Sequence, residues 1–222
     1  MNLGKILFAT VSSGLILINS AMGAAISAVG ATASSSYSSG FLPTNAIDSN
    51  NGSRWSSIVG PSSDPSWIMI DLGGLYSLET VTIDWERASR DYTLRISSDL
   101  SAPSPTTNLA AWTTIATVTG QNEPNQGSGT PDETFNFING TFTDNSGTGV
   151  TSADVTSGAP SARYLLLYGT SRSSIYGHSI YEIKSTGSAV PEPTTTVLVV
   201  LATAWATTRR RNRTNDTTST LC

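Results

Sequence analysis

Hydrophobic and polar residues alternate in short runs along most of this chain, with a period of two. In Thr80–Glu86, Val81, Ile83 and Trp85 fall on one face and Thr82, Asp84 and Glu86 on the other. In Asp91–Ser97, Tyr92, Leu94 and Ile96 oppose Thr93, Arg95 and Ser97. Successive side chains of an extended strand point to opposite faces, so each run predicts a half-buried β-strand. Ser66–Gly73, Ala111–Val118, Glu133–Phe142 and His178–Ser185 predict further strands. Arg163–Thr170 is apolar almost throughout, as expected of a central strand covered on both faces. No long 3.6-residue period appears between residues 26 and 189, and Gly, Ser and Asn separate the runs. The pattern predicts an all-β sandwich or barrel. Residues 120–161 are the least regular, with one strand expected, Glu133–Phe142.

The two ends follow other rules. Residues 1–25 carry Lys5, then an apolar run, then small residues. That order predicts a secretory signal peptide cut between Gly23 and Ala28. At the other end Val190-Pro191-Glu192-Pro193 precedes an apolar segment at 194–208, then Arg209, Arg210, Arg211 and Arg213, and a tail at 214–222. The segment predicts a short hydrophobic helix, below the ~20 residues of a full span, with its arginines on the cytoplasmic side. Residues 190–213 resemble the PEP-CTERM sorting signal, with Pro191, Glu192 and Pro193 as its mark. The resemblance implies cleavage by an exosortase-type membrane protease. It also implies delivery to the cell surface or extracellular matrix, with only transient anchoring in the membrane. A lasting C-terminal anchor is the other reading.

Removing the ends leaves residues 26–189, a length suited to one domain. It holds seven Lys or Arg against fourteen Asp or Glu, a net charge near −7, although the whole chain is at −4. So acidic a body argues against nucleic acid and anionic membrane surfaces as partners. The only cysteine is Cys222, so the body has no disulfide despite its expected export.

Asp48–Trp55 packs oxygen-bearing side chains and a Gly into eight residues. An EF-hand loop needs Gly at its sixth position and Glu at its twelfth. Counted from Asp48, Gly52 falls at the fifth and Val59 at the twelfth, so this is not an EF-hand. It predicts a turn rich in Asx and Gly just before a Trp.

Four pieces in order, Asn45–Ser57, Ser66–Glu86, Asp91–Asp99 and Ala162–Gly187, resemble the discoidin, or coagulation factor type C, domain and its relatives, the family 32 carbohydrate-binding modules. The marks are Asp48, Asn50, Ser53 and Trp55, the Trp67–Gly73 strand with its Val81–Trp85 partner, and Arg163, Arg172, Tyr176 and Glu182 of the closing hairpin. The resemblance implies an eight-stranded jelly-roll sandwich, galactose-binding-like, over 26–189. It also implies a sugar site in loops at one end of the sandwich, for which Arg54, Trp55, Arg87, Arg90, Arg172 and Tyr176 are the candidates. Each has a structural alternative: Trp55 as a core cap, Arg87 and Arg90 paired with Glu86 and Asp91, Arg172 as a bracket of the hairpin. In relatives that bind calcium at the first turn, a Glu from the last strand completes the site. That implies a structural Ca²⁺ on Asp48, Asn50, Ser53 and Glu182. The alternative is an Asx-turn satisfying its own backbone, with Glu182 hydrogen-bonded to loop amides.

No nucleophile elbow, zinc-like cluster or phosphate loop accompanies these marks. His178, the only histidine, is expected to be structural. Asp84 and Glu86 form the kind of carboxylate pair glycoside hydrolysis uses, but two acids on the outward face of a strand read as a solvated edge. The sequence therefore points to an exported, non-enzymatic binding protein of the cell surface or matrix, for carbohydrate or extracellular polysaccharide. A structural matrix component that binds protein or itself is the alternative.

Overall fold

A computed structural model of the chain describes residues 23–60, 64–122, 132–145, 147 and 149–191. The expected helix at 194–208 and its arginines lie outside the described residues, as do Glu192, Pro193 and residues 1–22 of the expected leader. Among the described residues no helix is long and apolar enough to cross a membrane.

The alternating runs form strands as their period requires. In chain order they are β1 (Ala24–Ile26), β2 (Gly30–Ala33), β3 (Trp55–Ser56), β4 (Ser66–Arg87), β5 (Ser89–Ser97), β6 (Thr113–Thr119), β7 (Glu133–Asn136), β8 (Thr141–Asp144), β9 (Ser152–Val155), β10 (Ser161–Arg172) and β11 (Ser179–Ala189). Short 3₁₀ turns occur at Pro43–Ile47 and Leu109–Ala111. All described strand pairings are antiparallel.

Strand number departs from the expected eight: eleven occur among the described residues. Two runs read separately, Ser66–Gly73 and Thr80–Glu86, are one 22-residue strand, β4. Its first half pairs with β2 and β10, through Ile68↔Ala33 and Ile68↔Leu167. Its second half pairs with β7 and β11, through Ile83↔Glu133 and Ile83↔Ile183. Between the halves Gly73 takes φ +81°, a conformation that costs a residue with a Cβ. β4 thus belongs to both layers of the sandwich. The hydrogen-bonded sheet is continuous, with β4 joining the run β2–β4–β10–β5–β6–β9 of one layer to β1, β3, β11, β7 and β8 of the other. The single strand expected at Glu133–Phe142 is a hairpin instead. Asn139-Gly140 turns it, with Gly140 at φ +69°.

Between the layers lies one core. Ile68, Ile70, Leu94, Leu165 and Leu167 from the first layer meet Val81, Ile83, Trp85, Phe135 and Ile180 from the second. Full burial of each such side chain is worth about 1.5–3 kcal/mol relative to exposure. Met69, Trp112, Tyr164 and Leu166 form a smaller cluster with an opposite strand parity. That second cluster is why Arg163–Thr170 is apolar on both faces.

One polar group is set within this core. Glu133 is fully buried and accepts hydrogen bonds from Trp85 Nε1 at 2.7 Å, Gln121 Nε2 at 2.6 Å and the Tyr92 hydroxyl. Burial pushes its carboxyl up to about 7, although the Trp85 and Tyr92 bonds oppose the rise. Asp132 beside it accepts from the Trp85 backbone N–H, and burial raises it to about 6.

Candidate functional site

β11 brings the candidate binding residues together. Ser179 at its start faces Ser56 of β3 on one side and Arg87 of β4 on the other. Arg54, just before β3, Arg87, at the end of β4, and Tyr176, in the turn before β11, therefore meet at one end of the sandwich. They line a cleft of about 530 Å³ with Tyr37, Phe41, Ser56, Val59, Glu86 and Ile175. The segment carrying Tyr37 and Phe41 is tied to β3 by Tyr37 N–H to Ser56 O at 2.8 Å, and the two rings meet edge to face at 5.7 Å. Ile175 and Tyr176 are 81 % and 51 % exposed, a prominent apolar rim for so short a turn.

Charge inside the cleft is arranged around one carboxylate. Glu86 lies 3.7 Å from Arg54 Nε and 3.6 Å from Arg87 Nε. Each guanidinium lies over an aromatic ring, Arg54 over Phe41 at 4.7 Å and Arg87 over Tyr176 at 4.9 Å. Arg54 Nε is buried without a hydrogen-bond acceptor. Glu86 is thus half-buried between two cations and not on a solvated edge, and its expected partner Asp84 is 4 % exposed.

The other three candidates lie elsewhere. Trp55 and Ser56 are adjacent on β3, so Trp55 points away from the cleft that Ser56 lines; it is fully buried in the core and donates from Nε1 to Ser35 O at 3.0 Å. Its place is that of a core cap, and it makes no part of the cleft wall. Arg90 is exposed and is not among the lining residues. Arg172 is a bracket: it grips Asp64 from Nε at 3.1 Å and from the second guanidinium nitrogen at 2.9 Å, and it donates to Tyr176 O at 3.1 Å.

That bracket is part of a closed network beneath the cleft. His178 Nε2 meets Asp64 Oδ1 at 2.8 Å, and its Nδ1 meets Ser89 Oγ at 2.7 Å. Burial lowers the imidazole below its ordinary value, against the pull of Asp64. Burial would raise Asp64, but hydrogen bonds from Arg172 and His178 outweigh it and leave the carboxyl lowered. Ser, His and Asp in a row suggest a nucleophile and its base, yet Ser89 and His178 are fully buried and out of substrate's reach. The network fixes the turn that holds Tyr176.

The Asp48 loop forms a separate feature. Asp48 Oδ1 accepts from Asn50 N–H at 2.8 Å, and its Oδ2 accepts from the Ser53 hydroxyl at 2.6 Å. Asn50 Oδ1 accepts from Gly52 N–H at 3.0 Å. Glu182, 3 % exposed, reaches this loop through the Ser49 N–H. Its carboxyl is raised by burial first and then by the fields of Asp48 and Asp84, while the Ser49 bond opposes the rise. Glu182 Oε2 is buried and has no hydrogen-bond partner. A buried carboxylate oxygen left over beside a second carboxylate suits a bound cation. Among the described residues, however, no group of three or more His, Cys, Asp or Glu is placed to hold a metal. Neutral oxygens would have to supply most of the ligands.

Comparison with known proteins agrees with this geometry. Residues 45–145 match the family model for F5/8 type C domains described as a NedA-like, galactose-binding domain. A selenomethionine-labelled mutant of chitosan-binding module 1, from a chitosanase/glucanase of Paenibacillus sp. IK-5, is 26 % identical with a TM-score of 0.51. The match covers 74 % of this chain and 99 % of that one. A fucolectin from striped bass serum, Morone saxatilis, shares the fold at 16 % identity and a TM-score of 0.50, over 76 % of this chain and 50 % of that one. No curated protein sequence matches. The chain thus carries a discoidin-like, all-β domain similar to carbohydrate-binding modules. Its likeness is to binding modules.

The sequence alone did not point to Tyr37, Phe41, Val59, Glu86 or Ile175 as cleft residues. Tyr37 and Phe41 were visible as isolated aromatics in a Ser- and Gly-rich stretch, a signal of a functional loop.

Proposed function

We propose that the chain is an exported carbohydrate-binding protein of the cell surface or extracellular matrix, and that the cleft between Arg54, Arg87 and Tyr176 is its saccharide site. The observation that carries this reading is the unsatisfied Arg54 Nε in an aromatic-lined cleft at the end of a discoidin-like sandwich. The Arg54 side chain is 33 % exposed, so the outer part of its guanidinium can donate to sugar hydroxyls, and the apolar rim at Ile175 and Tyr176 suits the carbon face of a pyranose. Binding of the purified chain to a glycan array tests it. The expected result is retention on a defined set of glycans that Tyr176→Ala abolishes. Absence of binding to every glycan, or binding that Tyr176→Ala leaves intact, would refute the assignment.

The Asp48 loop supports a second, structural proposal: Asp48, Asn50, Ser53 and Glu182 hold a Ca²⁺ that ties the first turn to the last strand. The ion would give Glu182 Oε2 the partner it lacks and offset the repulsion between Glu182 and Asp48. A ligand bound only by the folded state stabilises it. Millimolar Ca²⁺ is therefore expected to raise the melting temperature over that in EDTA, and Glu182→Gln to remove the difference. An equal melting temperature in both would leave the loop as a self-satisfied Asx-turn.

Sorting by an exosortase-type protease, through Pro191, Glu192 and Pro193, completes the proposal. Mass spectrometry of the mature C-terminus tests it, because an intact Arg209–Arg213 cluster contradicts processing.

A further inference from the structure

We infer that the cleft prefers oligosaccharides bearing a carboxylate, the uronates, over neutral or amino sugars. This inference rests on the saccharide reading above.

Its first ground is charge. The lining residues include two guanidiniums, Arg54 and Arg87, and one carboxylate, Glu86. Glu86 is shared between both, at 3.7 and 3.6 Å, so the lining keeps one formal positive charge. It does so on a body whose net charge is near −7. A positive concavity in an acidic surface concentrates the field where an anion would enter.

The second ground is the buried donor. Arg54 Nε has no acceptor, and Glu86 at 3.7 Å is too far to be one. The side chain as a whole is 33 % exposed, so a carboxylate entering the cleft meets the outer part of this guanidinium, and a charged acceptor bonds it more strongly than a neutral hydroxyl does.

The third ground is the state of the rings. Phe41 and Tyr176 already carry guanidiniums over their faces, at 4.7 and 4.9 Å. The rings therefore act as beds that orient two planar cations, a geometry suited to carboxylate recognition. By the same count a glucosamine ammonium would meet two cations and a carboxylate already engaged by both. The inference thus separates this cleft from a chitosan-binding one in spite of the overall similarity.

Isothermal titration of the full chain with trigalacturonate, its methyl ester and chitotriose decides the question. The ester keeps the sugar and removes the charge. Trigalacturonate is expected to bind at least ~10-fold tighter than its ester at low salt. The gap should narrow at about 0.5 M NaCl, where screening is strong, and chitotriose should bind weakest. Arg87→Gln should close the gap, and Glu86→Gln should widen it. Equal or tighter binding of the ester or of chitotriose would overturn the uronate preference and leave the saccharide reading intact. If none of the three binds, the uronate inference fails, and the glycan array then judges the saccharide reading separately.

Discussion

Two charged clusters lie a few residues apart and are built in opposite ways. In the lower one, Asp64, Arg172, His178 and Ser89 bond one another at 2.7–3.1 Å, and both imidazole nitrogens are engaged. In the upper one, Arg54, Glu86 and Arg87 stand at 3.6–3.7 Å, and Arg54 Nε has no acceptor. A polar network that satisfies its members rigidifies what it touches. One that leaves donors over is held ready for something else. The comparison assigns the lower cluster to architecture and the upper one to binding, and it can be broken at several points.

The largest effect should follow from opening the lower cluster. Arg172→Ala leaves Asp64 without its guanidinium, keeping only the His178 bond, and frees the carbonyl of Tyr176. Removing one member of a mostly buried ion pair costs about 3 kcal/mol. Chemical denaturation should show that loss, and glycan binding should fall with it because the turn carrying Tyr176 is no longer held. Unchanged stability would remove the architectural role.

A comparable effect should come from pH, through the carboxylates buried in the core. Glu133 is raised to about 7 and Asp132 to about 6, both above their unfolded values. Their contribution is therefore fully present below the ordinary carboxylate range and is lost as pH rises through about 6 and then 7. For Glu133 the loss is on the order of 3 kcal/mol. His178 acts in the other direction: its folded value is lowered, so stability is lost as pH falls below the ordinary histidine value. Melting temperatures from pH 5 to 8 should fall with rising pH in the parent and much less in Glu133→Gln. A parent curve that rises instead would contradict the burial argument.

Packing under the lower cluster gives a smaller effect. A Cβ at Gly169 would lie 2.7 Å from Ser89 Oγ and 2.8 Å from His178 Cε1. Gly169→Ala should cost ~1–3 kcal/mol by overpacking, measured as a shift in the denaturation midpoint. The smallest effect on stability belongs to the upper cluster. Arg54 and Glu86 form a partly exposed pair at long distance, and such pairs contribute ~0–1 kcal/mol. Arg54→Gln should leave the midpoint nearly unmoved while weakening saccharide binding. A large loss of stability would make Arg54 part of the scaffold and erase the contrast.

Much of this frame was legible in the sequence. Short β-rich runs located β4, β5, β6 and β11 and an almost wholly apolar run located β10, and alternation assigned Val81, Ile83, Leu94 and Ile96 to the core, because strand parity fixes the face. The fusion of two runs into β4 was hidden, since Gly73-Gly74 reads as a turn. β1, β2, β3 and β9 were missed because each is four residues or fewer, too short for alternation to show. At the site, Arg54, Arg87 and Tyr176 were expected together and do meet. Trp55 is in the core, because it cannot share a face with Ser56, its neighbour on β3, which lines the cleft. Glu86 looked like half of a solvated edge, since its two arginines come together with it only in the fold. Asp64 carried no signal at all, because its partners lie over a hundred residues away.

Backbone amide shifts during titration with the glycan that the array shows to bind most tightly test the central claim most directly. The account predicts the largest changes at Ser56, Arg87, Ile175 and Tyr176, with the Asp48–Ser53 loop nearly still. Changes centred on that loop or on β2 and Tyr164, with Ser56 and Ile175 unmoved, would contradict it.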